Sequence, residues 1–179
     1  MTSTLSAAAI ESERVVVRKA RDADRDGLIE VFTDPEVRRY LGGPRPRAQV
    51  EGFLDHLGAV EGGYVVADRE TDAFFGMLAL APRDPDLPGH VTPEGGELEL
   101  SYVLRQAAWG RGLAFEATTA VLRAAARELP EQPVLVVTQA ANQAARKLAG
   151  RLGFEEVDTF EAHDAAQVLA VAPLGSFRE

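Results

Sequence analysis

The stretch from Glu97 to Phe154 constrains the fold more than any other part of the chain. ELELSYVL, Glu97 to Leu104, alternates apolar and polar residues with the period of a strand. A glycine turn follows at Gly110-Arg111-Gly112, and Leu113 to about Leu129 is an alanine-rich run of helix formers ended by Pro130. Val134 to Thr138 is a continuous apolar run, as expected of a strand covered on both faces, and Ala141 to Leu152 reads as a helix stopped by Gly153. Two strands joined through a helix run parallel in one sheet, with the helix packed back onto it. A chain holding this unit folds around an open sheet that carries helices.

The flanking sequence fills in the rest. RVVVRK at Arg14–Lys19 suits a strand, and DAD at Asp22–Asp24 supplies an N-cap and early negative charge for a helix whose buried stripe is Leu28, Ile29 and Phe32. Pro35 starts a second short helix, PEVRRYL, closed by Gly42 to Pro44, and Arg47–Val60 places Val50, Phe53, Leu54 and Leu57 at helical spacing. Tyr64–Asp68 and Ala73–Leu80 flank the polar RETD turn as an antiparallel hairpin, with Phe74 and Phe75 on opposite faces. A loop of about fifteen residues, Pro82 to Gly96, precedes the acidic strand, and Phe154–Phe160 and Ala166–Ala172 are closing strands. The expectation is a single mixed α/β sandwich domain over 13–179, preceded by a flexible arm over 1–12.

Composition narrows the function classes. A net charge of -9 repels phosphate backbones, which argues against nucleic acid as the main partner and favours amine-bearing ones. Without cysteine there is no disulfide, thiolate metal site or thiol nucleophile, a pattern at home in the cytoplasm. His56, His90 and His163 lack the spacing of a zinc-binding helix, so no metal site is expected. Neither a membrane span nor a signal peptide is expected.

Two features carry chemistry. On the acidic strand, Leu98, Leu100, Tyr102 and Leu104 share one face, while Glu97, Glu99, Ser101 and Val103 share the other. If the strand is central, its two carboxylates lie in a polar cleft, since unpaired buried charges are costly; otherwise this strand end is solvent-exposed. The strand–glycine turn–helix can offer consecutive backbone N–H groups and a positive helix end to a phosphate, or can be a structural turn. It is neither a Walker A loop nor a dinucleotide fingerprint. His90 reads as a solvated loop histidine and Trp109 as a packing plug at the turn.

ELSYVLRQAAWGRGLAFEA, followed after a helix and strand by ANQAARKLAGRLGFEEV, resembles the GNAT superfamily of acetyl-CoA-dependent N-acyltransferases. The opening ERVVVRKARDADRDGLIEVFTDPEVRRYLGG and Trp109 resemble its RimJ/RimL-type branch. The resemblance implies a mostly antiparallel sheet splayed at the cofactor cleft, with helices on both faces. It implies that the pyrophosphate of acetyl-CoA lies on the amides of Gly110, Arg111, Gly112, Leu113 and Ala114. By the same resemblance the pantetheine arm pairs with Tyr102, Val103 and Leu104, and Asn142, also an N-cap, helps hold the cofactor. A backbone N–H of Val103 or Leu104 would polarise the thioester carbonyl.

By the same resemblance Glu99 falls where many relatives carry the acid proposed as general base, with Glu97 second and Ser101 able to bind or relay protons. The sequence departs from the family at Ala149, where a tyrosine acid is common, and at Ala145, where serine is frequent. The implied activity is transfer of acetyl to a primary amine, either a protein N-terminus or a small amine such as an aminoglycoside, amino acid or polyamine. The alternatives are a non-catalytic acyl-CoA-binding or sensor domain and a generic phosphate-binding module. A homodimer is a further implication.

Overall fold

In the computed structural model, which describes residues 4–56 and 60–179, the chain winds into one eight-stranded sheet. The strands are β1 (Ala9–Glu11), β2 (Val15–Arg18), β3 (Gly63–Asp68), β4 (Phe74–Pro82), β5 (Leu98–Leu104), β6 (Pro133–Gln139), β7 (Glu155–Ala162) and β8 (Ala165–Pro173). Their order is β1-β2-β3-β4-β5-β6-β8-β7. Every neighbouring pair is antiparallel except β5 and β6, joined by the crossover through α3 (Leu113–Glu128). The other helices are α1 (Arg25–Thr33), α2 (Arg47–Leu54) and α4 (Gln143–Leu152).

Helices cover both faces of the sheet. On one, Leu113, Ala117, Val121, Leu122 and Ala125 of α3 pack with Val15, Leu78, Leu100 and Val134 of the strands, and Ala149 of α4 joins the same core. On the other, Leu28 of α1 packs with Val65 and Ala67, and Leu54, Phe74 and Met77 close around them. Phe75 belongs to the first core and Phe74 to the second, as strand alternation requires. One side chain inside this frame is a buried ion pair: the Arg18 guanidinium donates to both oxygens of Asp24 at 2.8 and 2.9 Å and to Asp72 at 2.9 Å.

Three expectations are corrected or bounded. Residues 4–12 are not a loose arm. Leu5 is buried, Ala9–Glu11 pairs with β2, and the Tyr64 hydroxyl donates to the carbonyls of Leu5 (3.3 Å) and Ala7 (3.1 Å). PEVRRYL forms a chain of turns rather than a helix. The Arg38 side chain captures the carbonyls of Leu41 and Gly43, and Gly42 and Gly43 curl back at φ +89° and +81°. The helix expected to reach Val60 ends at Leu54, and its expected apolar position Leu57 lies outside the described residues.

The feature that positions the site is a split in the sheet. β5 pairs with β6 only at Leu98–Val134 and Glu99–Leu135, and the two strands then part. β5 stays with β4 as far as Gly76–Leu104, and β6 stays with β8 as far as Gln139–Gln167.

Candidate active site

Backbone direction decides what the split exposes. Along an extended strand, successive residues turn their N–H and C=O groups to opposite sides. Arg105 N–H donates to Phe75 at 2.9 Å and the Val103 carbonyl lies against Gly76, so Val103 and Arg105 face β4. Tyr102 and Leu104 therefore turn their N–H groups toward the gap. The Leu104 carbonyl on that side accepts the Trp109 indole N–H at 2.8 Å. Trp109 is thus a tie between the turn and the end of β5 rather than a buried plug, and it is 48% exposed.

At the mouth of the gap, Gly110 and Gly112 sit at φ +72° and +73°, which only glycine adopts without strain. Among the described residues, no protein acceptor takes the N–H groups of Gly110, Arg111, Gly112, Leu113 or Ala114. The turn's carbonyl side is occupied instead: Arg14 Nη1 donates to the Arg111 carbonyl at 2.8 Å, and Arg14 Nε pairs with Glu116 at 2.7 Å. Of these five residues, Gly110, Gly112, Leu113 and Ala114 line a cleft of about 520 Å³, together with Tyr102, Leu104, Trp109 and Asn142. A run of unpaired N–H groups at a helix start is the donor set a pyrophosphate needs, so the residues present fit the implied acetyl-CoA. The Arg111 side chain turns away and covers the Phe75 ring at 5.1 Å.

Asn142 is an N-cap, its side-chain oxygen accepting the Ala145 N–H at 3.2 Å, and it lines the same cleft. In α4, Ala144, Ala145 and Leu148 reach the cleft, whereas Ala149 is buried in the core. The α4 residue exposed to the cleft one turn after Ala144 is therefore an apolar leucine.

A second cavity of about 270 Å³ opens on the α1 face, lined by Leu28, Phe32, Arg38, Met77 and Ser101. Ser101, Tyr102, Val103 and Leu41 line both spaces, so the two meet across β5. Burial pushes the Tyr102 phenol up to about 12.

The two carboxylates have different surroundings. Glu99 lies one pleat from Ser101 and pairs with Arg83 Nη1 at 2.9 Å. Burial pushes its carboxyl above the ordinary value, and Arg83 offsets this only in part. Glu97 is instead saturated by the long loop: Val91 and Thr92 donate backbone N–H groups at 2.6 and 3.1 Å, and His90 Nδ1 lies at 2.8 Å. Burial pushes Glu97 upward, but those hydrogen bonds outweigh it and hold the carboxyl below the usual range. Expected beside Glu99 as a proton acceptor, Glu97 is an anchor for the loop.

His90 is not solvated, because its other nitrogen meets the Leu87 carbonyl at 2.7 Å. Arg83, which also holds the Gly89 and Pro88 carbonyls, and Arg38 stand out only in the folded chain. No local pattern marks either, since each acts through partners that folding brings to it.

Residues 14–155 match the family model of the acetyltransferase (GNAT) domain. The chain is 24% identical over 164 residues to "Uncharacterized N-acetyltransferase p20" of Bacillus licheniformis, which covers 87% of each chain. Its fold is similar to that of a GNAT-family acetyltransferase from Bacillus anthracis, with a TM-score of 0.80, 16% identity and coverage of 93% of this chain and 98% of that one. It is also similar to spermidine N-acetyltransferase from Vibrio cholerae, solved with CoA and spermine, with a TM-score of 0.70, 13% identity and coverage of 91% and 97%.

Proposed function

We propose that this chain, which belongs to the acetyltransferase (GNAT) family, transfers the acetyl group of acetyl-CoA to a primary amine by direct attack. The observation that carries the reading is the row of five unpartnered amides, Gly110 to Ala114, at the mouth of the gap between β5 and β6. They hold the pyrophosphate, assisted by the positive end of α3. Bound there, acetyl-CoA supplies an activated acyl group on a thiol that leaves readily.

The remaining steps belong to the chain. Leu104 N–H, turned into the gap beside that of Tyr102, donates to the carbonyl oxygen on which negative charge develops. Of the two donors suggested by the sequence, Val103 is the weaker choice because it faces β4. Ser101 and the cavity on the α1 face hold the acceptor. The new C–N bond forms as the thioester C–S bond breaks. The amine's proton leaves through Glu99, directly or through a water, and the sulfur takes a proton from water to leave as the thiol. Glu99 suits this role because its carboxyl, raised by burial, binds a proton more readily than an exposed glutamate. Trp109 supports a RimJ/RimL-type placement within the family.

The test is free-thiol release from acetyl-CoA across a panel of small amines and peptides, with CoA affinity measured beside it. Turnover of any amine supports the enzyme reading. Tight CoA binding without turnover of any acceptor favours a sensor of the same fold and overturns it.

A further inference from the structure

The cavity on the α1 face has mostly apolar walls, with Leu28, Phe32, Met77 and Val103 among them, a few hydroxyls including that of Ser101, and, among the described residues, one charged side chain and no carboxylate. Its charged member, Arg38, is only 8% exposed. Nε donates to the Gly43 carbonyl at 3.0 Å and Nη2 to the Leu41 carbonyl at 2.6 Å. A guanidinium carries five N–H donors, so these two bonds leave three of them unused.

Among the described residues, no acidic side chain forms an ion pair with Arg38, nor with Arg39 or Arg45 in the same segment. Arg38 and Arg45 flank the Phe32 ring at 5.7 and 5.8 Å. A chain with net charge -9 thus keeps an uncompensated cationic segment here, with Arg38 lining this cavity and Arg39 the neighbouring cleft. Buried guanidinium groups are ordinarily paired, because desolvating an isolated charge is costly. Burial, followed by the Arg45 charge, lowers the affinity of Arg38 for its proton. A ligand anion would relieve both.

Resting on the acetyltransferase reading for its amine, we propose that the acceptor is a small amine that also carries a carboxylate and an apolar side chain, such as a free apolar α-amino acid. The carboxylate pairs with Arg38, the side chain fills the space lined by Phe32 and Met77, and the adjacent amino group is left toward Ser101. Arg38 and Ser101 line the same cavity of about 270 Å³, so one small molecule can meet both. A polyamine would bring positive charge to Arg38 with no carboxylate in the cavity to receive it. A protein N-terminus would offer a neutral peptide carbonyl where the carboxylate belongs.

The test compares acceptors that differ only at that group: L-leucine, L-leucinamide and isopentylamine, with spermidine and an Ala-terminated peptide beside them. Leucine is expected to exceed leucinamide in kcat/KM by roughly ten- to a hundredfold, the worth of a charge-assisted hydrogen bond. Arg38→Met should shrink that difference to less than about threefold. Equal or better turnover of leucinamide, spermidine or the peptide by the wild type overturns the proposal, as does a preference for leucine that survives Arg38→Met.

Because Arg38 also braces its turn, the wild-type comparison stands whether or not the variant folds. Calorimetric titration of N-acetyl-L-leucine and its amide into the CoA-saturated protein separates this proposal from the activity itself. If no amine is acetylated, roughly tenfold tighter binding of the acid still supports the Arg38 assignment, and equal binding overturns it.

Discussion

Replacing Glu99 with Gln tests the chemistry at small cost to the fold, and the structure says why. The carboxylate is partly buried, 23% exposed at its side chain, and bonded to Arg83 at 2.9 Å. Two effects oppose one another in the variant: a charge that burial penalises is removed, and Arg83 loses its counter-charge. The raised carboxyl decides between them, since it means that Arg83 does not fully compensate the desolvation. A carboxyl with a folded-state pKa above its unfolded value contributes stability below the unfolded pKa, and loses it as pH rises through the folded one. Ionised Glu99 is therefore a small liability at neutral pH, and the amide keeps an oxygen to accept from Arg83. Glu99→Gln should cost no more than about 1 kcal/mol, a fall of roughly 2–4 °C in the thermal midpoint.

Its effect on rate should be of a different order. Loss of a positioned general base lowers kcat/KM by roughly 10²–10⁴-fold. The wild type should show an acid limb in kcat/KM lying above the ordinary glutamate value, and the Gln variant should lack it. The assay is thiol release from acetyl-CoA at saturating cofactor across pH 5 to 9, with thermal unfolding on the same samples. A variant that keeps kcat/KM within about threefold of wild type, with the acid limb unmoved, would show that Glu99 is a partner for Arg83 and nothing more.

Two further expectations concern the frame and the turn. Asp24→Ala removes the forked partner of the buried Arg18 guanidinium and leaves it only Asp72, which should destabilise by about 2–3 kcal/mol, roughly 4–12 °C in a protein of this size, read by calorimetry. Burial pushes the Asp24 carboxyl up, but the bonds from Arg18 and Arg21 outweigh it and leave it below 3.8, so the pair's contribution is present above the unfolded pKa and lost as pH falls through the folded one. The gap between wild type and variant should therefore close in acid, and a gap independent of pH between 2 and 7 would contradict this. Gly112→Ala meets only Arg14 Nη2 at 3.4 Å, so its cost is the left-handed backbone, about 1–2 kcal/mol. Relaxation of that φ re-aims the amides, and CoA affinity should fall by roughly tenfold or more; unchanged affinity would show that the turn is only structural.

Local chemistry was legible in the sequence and distant pairing was not. Asn142 capping α4, Gly153 ending it in a left-handed conformation, and the Phe74/Phe75 split all follow from neighbours within a turn or a pleat. Residues 4–12 looked loose because their partners lie far along the chain: Tyr64 meets Leu5 across 59 positions and Glu128 takes the Ser6 N–H across 122. PEVRRYL had helical composition, but helix propensity is weak beside a guanidinium that takes its carbonyls. Glu97 and Glu99 were equivalent by alternation alone. What separates them is the Pro82–Gly96 loop, which folds back to saturate one and sends Arg83 to the other, and nothing in that loop's own sequence declares which.

The amide row and the cavity on the α1 face are joined by one set of contacts, which bears on how the two proposed substrates would be brought into register. Just past β5, Arg105 forms a forked pair with Glu30 of α1 at 2.7 and 2.9 Å. The next residue, Gln106, donates to both oxygens of Asp34 at 2.9 and 3.1 Å. Asp34 in turn accepts the Glu36 N–H at 2.9 Å, which starts the turns that carry Arg38 to the cavity on the α1 face. Trp109 closes the same short segment onto Leu104. Thus the end of β5, the turn that leads to Gly110, and the segment bearing Arg38 are braced together, while β6 belongs to the other half of the sheet. Exchange of CoA in the cleft between the halves need not disturb the alignment of Arg38 with Leu104, because that alignment lies wholly within one of them. Geometry of this kind lets attack distance be fixed before either substrate arrives, the condition under which orientation contributes most to rate.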